Sequence, residues 1–157
     1  MKKHLLRNYQ PHDFPSLAQL FIRAVTEVAS RDNNPAQIRA WAQVDEQQLQ
    51  ARLASARVFV ACEEEKRLGF ISLESDGHLD MLFVHPEAQR RGVAASLLAH
   101  LETAAREQKL TRIYTEASLT ARPFFEAQGF RVEKEQTVAL RGETFINYRM
   151  IKTLPAA

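Results

Sequence analysis

A chain of 157 residues, 45% hydrophobic and 25% charged, is long enough to bury one core without a metal or disulfide staple. Its formal charge of +2 comes from 21 Lys and Arg interspersed with 19 Asp and Glu, which excludes the basic block of a nucleic-acid binder. The start Met1-Lys2-Lys3-His4-Leu5-Leu6-Arg7 breaks its apolar run at Arg7, too short for a secretory core or a membrane span, so a cytoplasmic protein with one domain over 1–157 is expected.

In chain order, residues 4–8 read as a short strand, and Asp13-Phe14-Pro15 reads as a helix start with Asp13 as N-cap. Leu17, Leu20, Phe21, Ala24, Val25 and Val28 then form one apolar stripe, the core face of that helix. Asn33-Asn34-Pro35 interrupts the pattern, and 35–42 and 45–55 read as two helical pieces, the second capped by Asp45. Strands are expected over 58–62 and 68–75, joined across the charged turn 63–67, and over 78–85 after the Asp76-Gly77 turn, making an antiparallel meander. The single Cys62 lies within the first of these strands, where a buried thiol is expected rather than a nucleophile. A helix from Val93, a strand over 112–117 parallel to the one before it, a short helix over 121–128 and two strands over 130–140 and 143–151 complete the chain. The sum is an α/β fold, a central mixed, mostly antiparallel sheet of about seven strands with helices on both faces.

The most informative segment is Leu82-Phe83-Val84-His85-Pro86-Glu87-Ala88-Gln89-Arg90-Arg91-Gly92-Val93-Ala94, an apolar strand turning into a basic, glycine-containing helix start. The first turn of a helix leaves N–H groups unpaired and carries about half a positive charge, which suits a phosphate or pyrophosphate. Gly92 and Ala94 allow close backbone approach, and Arg90 and Arg91 add charge. Neither a P-loop nor a dinucleotide fingerprint is present.

What the segment resembles is the acetyl-CoA motif of the GCN5-related N-acetyltransferases, with Gln89, Gly92 and Ala94 at its three defining positions. A second motif of that superfamily is matched by Ala117-Ser118-Leu119-Thr120-Ala121-Arg122-Pro123-Phe124-Phe125-Glu126-Ala127-Gln128-Gly129-Phe130. Within the superfamily the chain resembles the YafP-like bacterial acetyltransferases, through Asp80-Met81-Leu82-Phe83-Val84 and Ala121-Arg122-Pro123-Phe124-Phe125-Glu126. The resemblance implies an enzyme that transfers the acetyl group of acetyl-CoA to a primary amine by direct attack in a ternary complex. It implies a small-molecule or protein amine as partner, no metal, no nucleic acid and no membrane, and it allows a homodimer. It also implies cofactor contacts at Leu82, Phe83, Val84, Gln89, Arg90, Arg91, Gly92, Val93, Ala94, Ser118 and Phe124, mainly through the backbone on the strand, where a bulge parts two strands.

The reaction needs a base for the amine, and His78 and Asp80 alternate on the motif strand, expected on the same face as Leu82 and Val84. An ordinary imidazole titrates near pH 6.5 and suits the task at neutrality, whereas Asp80 lies deeper in the motif. Many members place a Tyr where this chain has Phe125, so the leaving thiolate needs another donor, with Ser118, Thr120, Tyr114 and Tyr148 as substitutes. That departure leaves a non-catalytic acetyl-CoA sensor as the alternative. Thr120 is expected to cap the helix after it, Arg122 to be solvated, Trp41 to pack or wall the acceptor pocket, and Arg23, Glu27 and Arg31 to line the polar side of the first helix, facing the acceptor.

Overall fold

The computed structural model describes residues 4–155; the basic start Met1-Lys2-Lys3 lies outside the described residues. Its strands are β1 (Leu5–Asn8), β2 (Arg57–Glu63), β3 (Lys66–Leu73), β4 (Leu79–Val84), β5 (Arg112–Ser118), β6 (Arg131–Leu140) and β7 (Glu143–Thr153). The helices are α1 (Phe14–Glu27), α2 (Pro35–Trp41), α3 (Glu46–Ala54), α4 (Val93–Glu107) and α5 (Arg122–Ala127). No helix among the described residues is long and apolar enough to cross a membrane.

Seven strands and helices on both faces agree with the sequence, but the sheet is divided. Strands β1-β2-β3-β4 form one antiparallel sheet and β5-β7-β6 another. They meet at a single parallel bridge between His78 and Tyr114, closed by Tyr114 N donating to Gly77 O at 3.1 Å and Thr115 Oγ1 donating to Leu79 O at 2.9 Å. Beyond that apex β4 and β5 separate, so the expected parallel partnership exists only at its start. A wedge opens between two strand edges.

A bulge sits beside the apex. Ser72 faces Met81 and Leu73 faces Leu79, which leaves Asp80 as an extra residue on β4. The extra residue reverses the side-chain alternation: Leu79, Leu82 and Val84 join the core under α4, whereas Met81 and Phe83 join the core under α1. Asp80 therefore shares its face with Met81 and Phe83. This corrects the expectation that Asp80 lies beside Leu82 and Val84, which held only for an unbroken period of two.

The helices seat as their apolar stripes require. Phe14, Leu17, Leu20, Ala24 and Val25 are the buried face of α1, and Val93, Leu97, Leu98 and Leu101 that of α4. Helix α4 comes close to β3 because Gly69 lacks a side chain: a Cβ there would stand 2.9 Å from Phe83 O and 3.2 Å from Val93 and Leu97 side-chain atoms. Asp45 caps α3 as expected, accepting from Gln48 N at 3.1 Å.

Asp13 does something different from capping α1. Fully buried, it accepts from both Arg7 terminal nitrogens at 2.8 and 2.7 Å, from Arg67 Nε at 3.0 Å and from Gln10 N at 2.8 Å. One carboxylate thus ties β1, the α1 approach and β3. The Arg7 hydrogen bonds, helped by Gln10 N and Arg67 against the cost of burial, hold its pKa far below the carboxylate range. Because the folded pKa is depressed, the stabilisation is present above about pH 4 and is lost as pH falls through the folded value. Asp13→Ala is expected to lower stability in urea unfolding by about 3 kcal/mol at pH 7, with a smaller difference in acid.

Candidate active site

Two adjoining clefts lie along the wedge. The larger, about 380 Å³, is walled by the α2–α3 region and the β6–β7 hairpin. The second, about 260 Å³, runs between β4 and β5 from Phe124 and Phe125 of α5 to Gln89 and Ala94 at the start of α4. Trp41, Asp80, Met81, Phe83, Glu116 and Ser118 line both, so these six residues form the junction.

The second cleft combines unpaired strand backbone with an open helix start. His85 N donates to Leu68 O at 2.7 Å, so in the antiparallel ladder the Phe83 backbone also faces β3 and the Leu82 and Val84 backbones face the wedge. Val84 O is bonded by Gln89 Nε2 at 3.2 Å, which fixes the turn to the strand end. Of the three strand residues, Leu82 and Val84 present backbone to the wedge, while Phe83 contributes its ring, edge-on to Phe21 at 4.9 Å. At the α4 start, Arg90 (φ 63°) and Gly92 (φ 78°) both adopt left-handed backbone. Holding a non-glycine residue there costs about 1 kcal/mol, and such strain gathers at ligand sites. A Cβ on Gly92 would meet no atom within 4 Å, so the helix start faces open space.

The remaining motif residues divide clearly. Arg90 is exposed, Arg91 is ion-paired with Glu63, and Val93 is buried in the core and contributes only backbone. Phe124 lines the second cleft and meets Phe125 edge-on at 5.3 Å. Phe125 is itself buried against Phe130, so its missing hydroxyl is an apolar packing position here. Ser118, not Thr120, ties the α5 approach by accepting from Ala121 N at 3.1 Å, and Thr120 instead donates to Asp32 at 2.8 Å. Arg122 lies over the Tyr148 ring at 4.3 Å and pairs with Glu126, so it is not merely solvated. Arg23 bonds Glu27 and His85, and neither Arg23, Glu27 nor Arg31 lines the larger cleft.

At the junction, Asp80 Oδ2 accepts from Arg52 Nη2 at 2.8 Å and Nε at 3.0 Å, while its other oxygen accepts no hydrogen bond among the described residues. His78 is held on both sides, its Nδ1 by Glu74 and its Nε2 by Glu116 at 2.7 Å, with its ring stacked on Tyr114 at 4.8 Å. Burial lowers the imidazole pKa, but the Glu116 and Glu74 hydrogen bonds outweigh it and push it up to about 9. The expectation of an imidazole titrating near neutrality is therefore corrected: His78 is a cation at pH 7. Its stabilising contacts are fully present below about pH 6.5 and are lost as pH rises through about 9. An NMR titration of the His78 ring is expected to show a midpoint near 9, lowered in Glu116→Gln. Tyr114 donates to Asp76, which leads the causes pushing its hydroxyl up to about 12, so it is a poor proton source for a thiolate.

Glu116, Arg52 and Glu74 were not singled out by sequence. The one local signal was the polar series Arg112, Tyr114, Glu116, Ser118 on alternate β5 positions, a face without apolar cover. Their roles arise from strands and helices distant in sequence.

A strand pair parted over an unpaired edge, with an open left-handed helix start at one end and the ion-paired carboxylates Asp80 and Glu116 at the other, fits an acyltransferase of the coenzyme A-dependent kind. The comparisons agree. The family model for the acetyltransferase (GNAT) domain matches residues 29–152. The uncharacterized N-acetyltransferase YafP of Escherichia coli (strain K12) is 48% identical over 145 residues, 92% of this chain and 93% of that protein. The peptidyl-lysine N-acetyltransferase YiaC of the same organism is 34% identical over 82 residues, 52% of this chain and 55% of its own. A crystal structure of a GCN5-related N-acetyltransferase from Rhodopseudomonas palustris superposes with a TM-score of 0.94 at 32% identity, covering 98% of both chains. The chain belongs to the GNAT family and is an acetyl-CoA-dependent N-acetyltransferase.

Proposed function

We propose that the protein acetylates a primary amine by direct attack, with acetyl-CoA along the β4–β5 wedge, the amine in the larger cleft, and Asp80 as the base. The observation that carries this is the six-residue junction, where Asp80 and Glu116 are, among the described residues, the only carboxylates lining both clefts. The peptidyl-lysine acceptor in the name of YiaC is itself a primary amine, which supports the acceptor class.

Bound acetyl-CoA supplies the thioester whose carbonyl the amine attacks. The ammonium has two protons to lose. Asp80 accepts the first, freeing the nitrogen lone pair; Arg52 keeps the carboxylate oriented. The Leu82 and Val84 N–H groups face the carbonyl side of the wedge and stabilise negative charge on its oxygen. As the C–N bond forms and the C–S bond breaks, the electron pair leaves on sulfur and the second proton follows it. Ser118 lines both clefts and its oxygen accepts from Ala121 N, so its O–H is available to donate toward that sulfur. His78, cationic and held at both nitrogens, positions Glu116 rather than moving a proton. Cys62 is buried in the sheet, away from both clefts, which supports direct attack over an acetyl-enzyme and fits a reducing, cytoplasmic setting.

The test is release of coenzyme A thiol from acetyl-CoA across a panel of primary amines, with the acetylated amine identified by mass spectrometry. Amine-dependent release is expected. Binding of acetyl-CoA with no transfer to any amine would return the sensor alternative.

A further inference from the structure

Large apolar side chains open to solvent are few among the described residues, and they are not scattered. Leu119, Val138 and Ile146, at 38%, 37% and 42% exposure, all line the larger cleft; Leu5 on β1 is the other one. Single exposed apolar residues are ordinary, but three from different strands and turns converging on one concave site mark a contact surface. Deeper in, Trp41 and Phe145 meet edge-on at 6.1 Å and continue the apolar wall. A concavity of about 380 Å³ is of the size that encloses a small ligand.

The charges narrow the ligand further. The cleft is lined by Asp45, Asp80 and Glu116 against Arg52 and Arg141, and the His78 imidazolium pairs with Glu116 beside it, so the lining offers no block of unpaired negative charge. Arg52 is spent on Asp80, His78 on Glu116, and Arg141 donates to Ala40 O at 2.8 Å. A polyamine or amino-sugar would bring several positive charges to a lining without the carboxylates to meet them, and would set charges or hydroxyls against an apolar rim that cannot bond them.

We infer that the acceptor is a small primary amine with one positive charge and an apolar body, its ammonium at the Asp80–Glu116 junction and its carbon skeleton against Leu119, Val138 and Ile146. The inference rests on the acetyl-transfer reading above and names the acceptor class for it.

The experiment compares n-butylamine, n-hexylamine, spermidine, kanamycin and a short lysine peptide. It uses two readouts, KM in the thiol-release assay and Kd from the fluorescence of Trp41, the chain's single tryptophan. Each methylene buried strengthens binding by up to about fourfold, so n-hexylamine is expected to bind about tenfold more tightly than n-butylamine. The pair Val138→Thr and Ile146→Thr keeps β-branching and strand preference, the first also keeping side-chain shape, and is expected to flatten that length dependence, the change appearing in KM. Affinity that ignores alkyl length, or a lower KM for spermidine, kanamycin or the peptide than for n-hexylamine, would overturn the inference. The two readings fail separately. Length-dependent quenching of Trp41 without thiol release would remove acetyl transfer and keep the apolar amine site; transfer to spermidine alone would keep acetyl transfer and remove the apolar acceptor.

Discussion

Gly92→Glu is expected to abolish acetyl-CoA binding in a protein that still folds. Gly92 stands at the left-handed N-cap of α4 with φ 78°, and a side chain there meets nothing within 4 Å. No clash threatens the fold, and the backbone strain of a non-glycine residue is about 1–2 kcal/mol, which neighbouring Arg90 already bears. The loss at the site comes from charge. A carboxylate about 5 Å from one phosphate charge is repelled by roughly 3 kcal/mol at an effective dielectric of 20, and a pyrophosphate carries more than one charge. Affinity should fall by well over a hundredfold. Gly92→Ala separates the causes: it keeps the strain without the charge and should retain binding within about tenfold. Wild-type affinity in Gly92→Glu would place the phosphates elsewhere.

The second large effect belongs to the acceptor half. Asp80→Asn is expected to lower kcat/KM for a primary amine about a hundred- to ten-thousand-fold, the usual worth of a general base, while acetyl-CoA affinity is unchanged. The asparagine retains the size of the side chain and a hydrogen-bonding oxygen for Arg52 but cannot hold a proton from the ammonium. The deficit should shrink as pH rises toward the amine's own pKa, near 10 for an alkylamine, because free amine then needs no base. If Asp80→Asn stays within a few-fold of wild type and Glu116→Gln takes the loss instead, the base is on β5 and Asp80 serves to bind.

The proposed cofactor half of this site can be read in the sequence because its chemistry is local. Gln89, Gly92 and Ala94 follow one another through a single strand-to-helix turn, and amides at a helix start need no distant partner to bind an anion. The strands and helices were legible for the same reason, from alternation and apolar stripes. What the sequence could not show depends on residues brought together from afar. The bulge that carries Asp80 to the face of Met81 and Phe83 arises from the β3–β4 register, and a period-two reading passes straight through it. Asp13 resembles a helix cap until Arg7 and Arg67 arrive from β1 and β3. His78 looks like a base near neutrality until Glu74 and Glu116 close on its two nitrogens. Glu116 itself acquires a role only where β5 leaves β4, at the point where one sheet becomes two.

That division of the site into a cofactor half and an acceptor half is open to direct measurement by calorimetric titration of acetyl-CoA into wild type, Asp80→Asn and Gly92→Glu. Equal affinity in the first two with none in the third is the predicted result; binding retained in Gly92→Glu, or lost in Asp80→Asn, would contradict it.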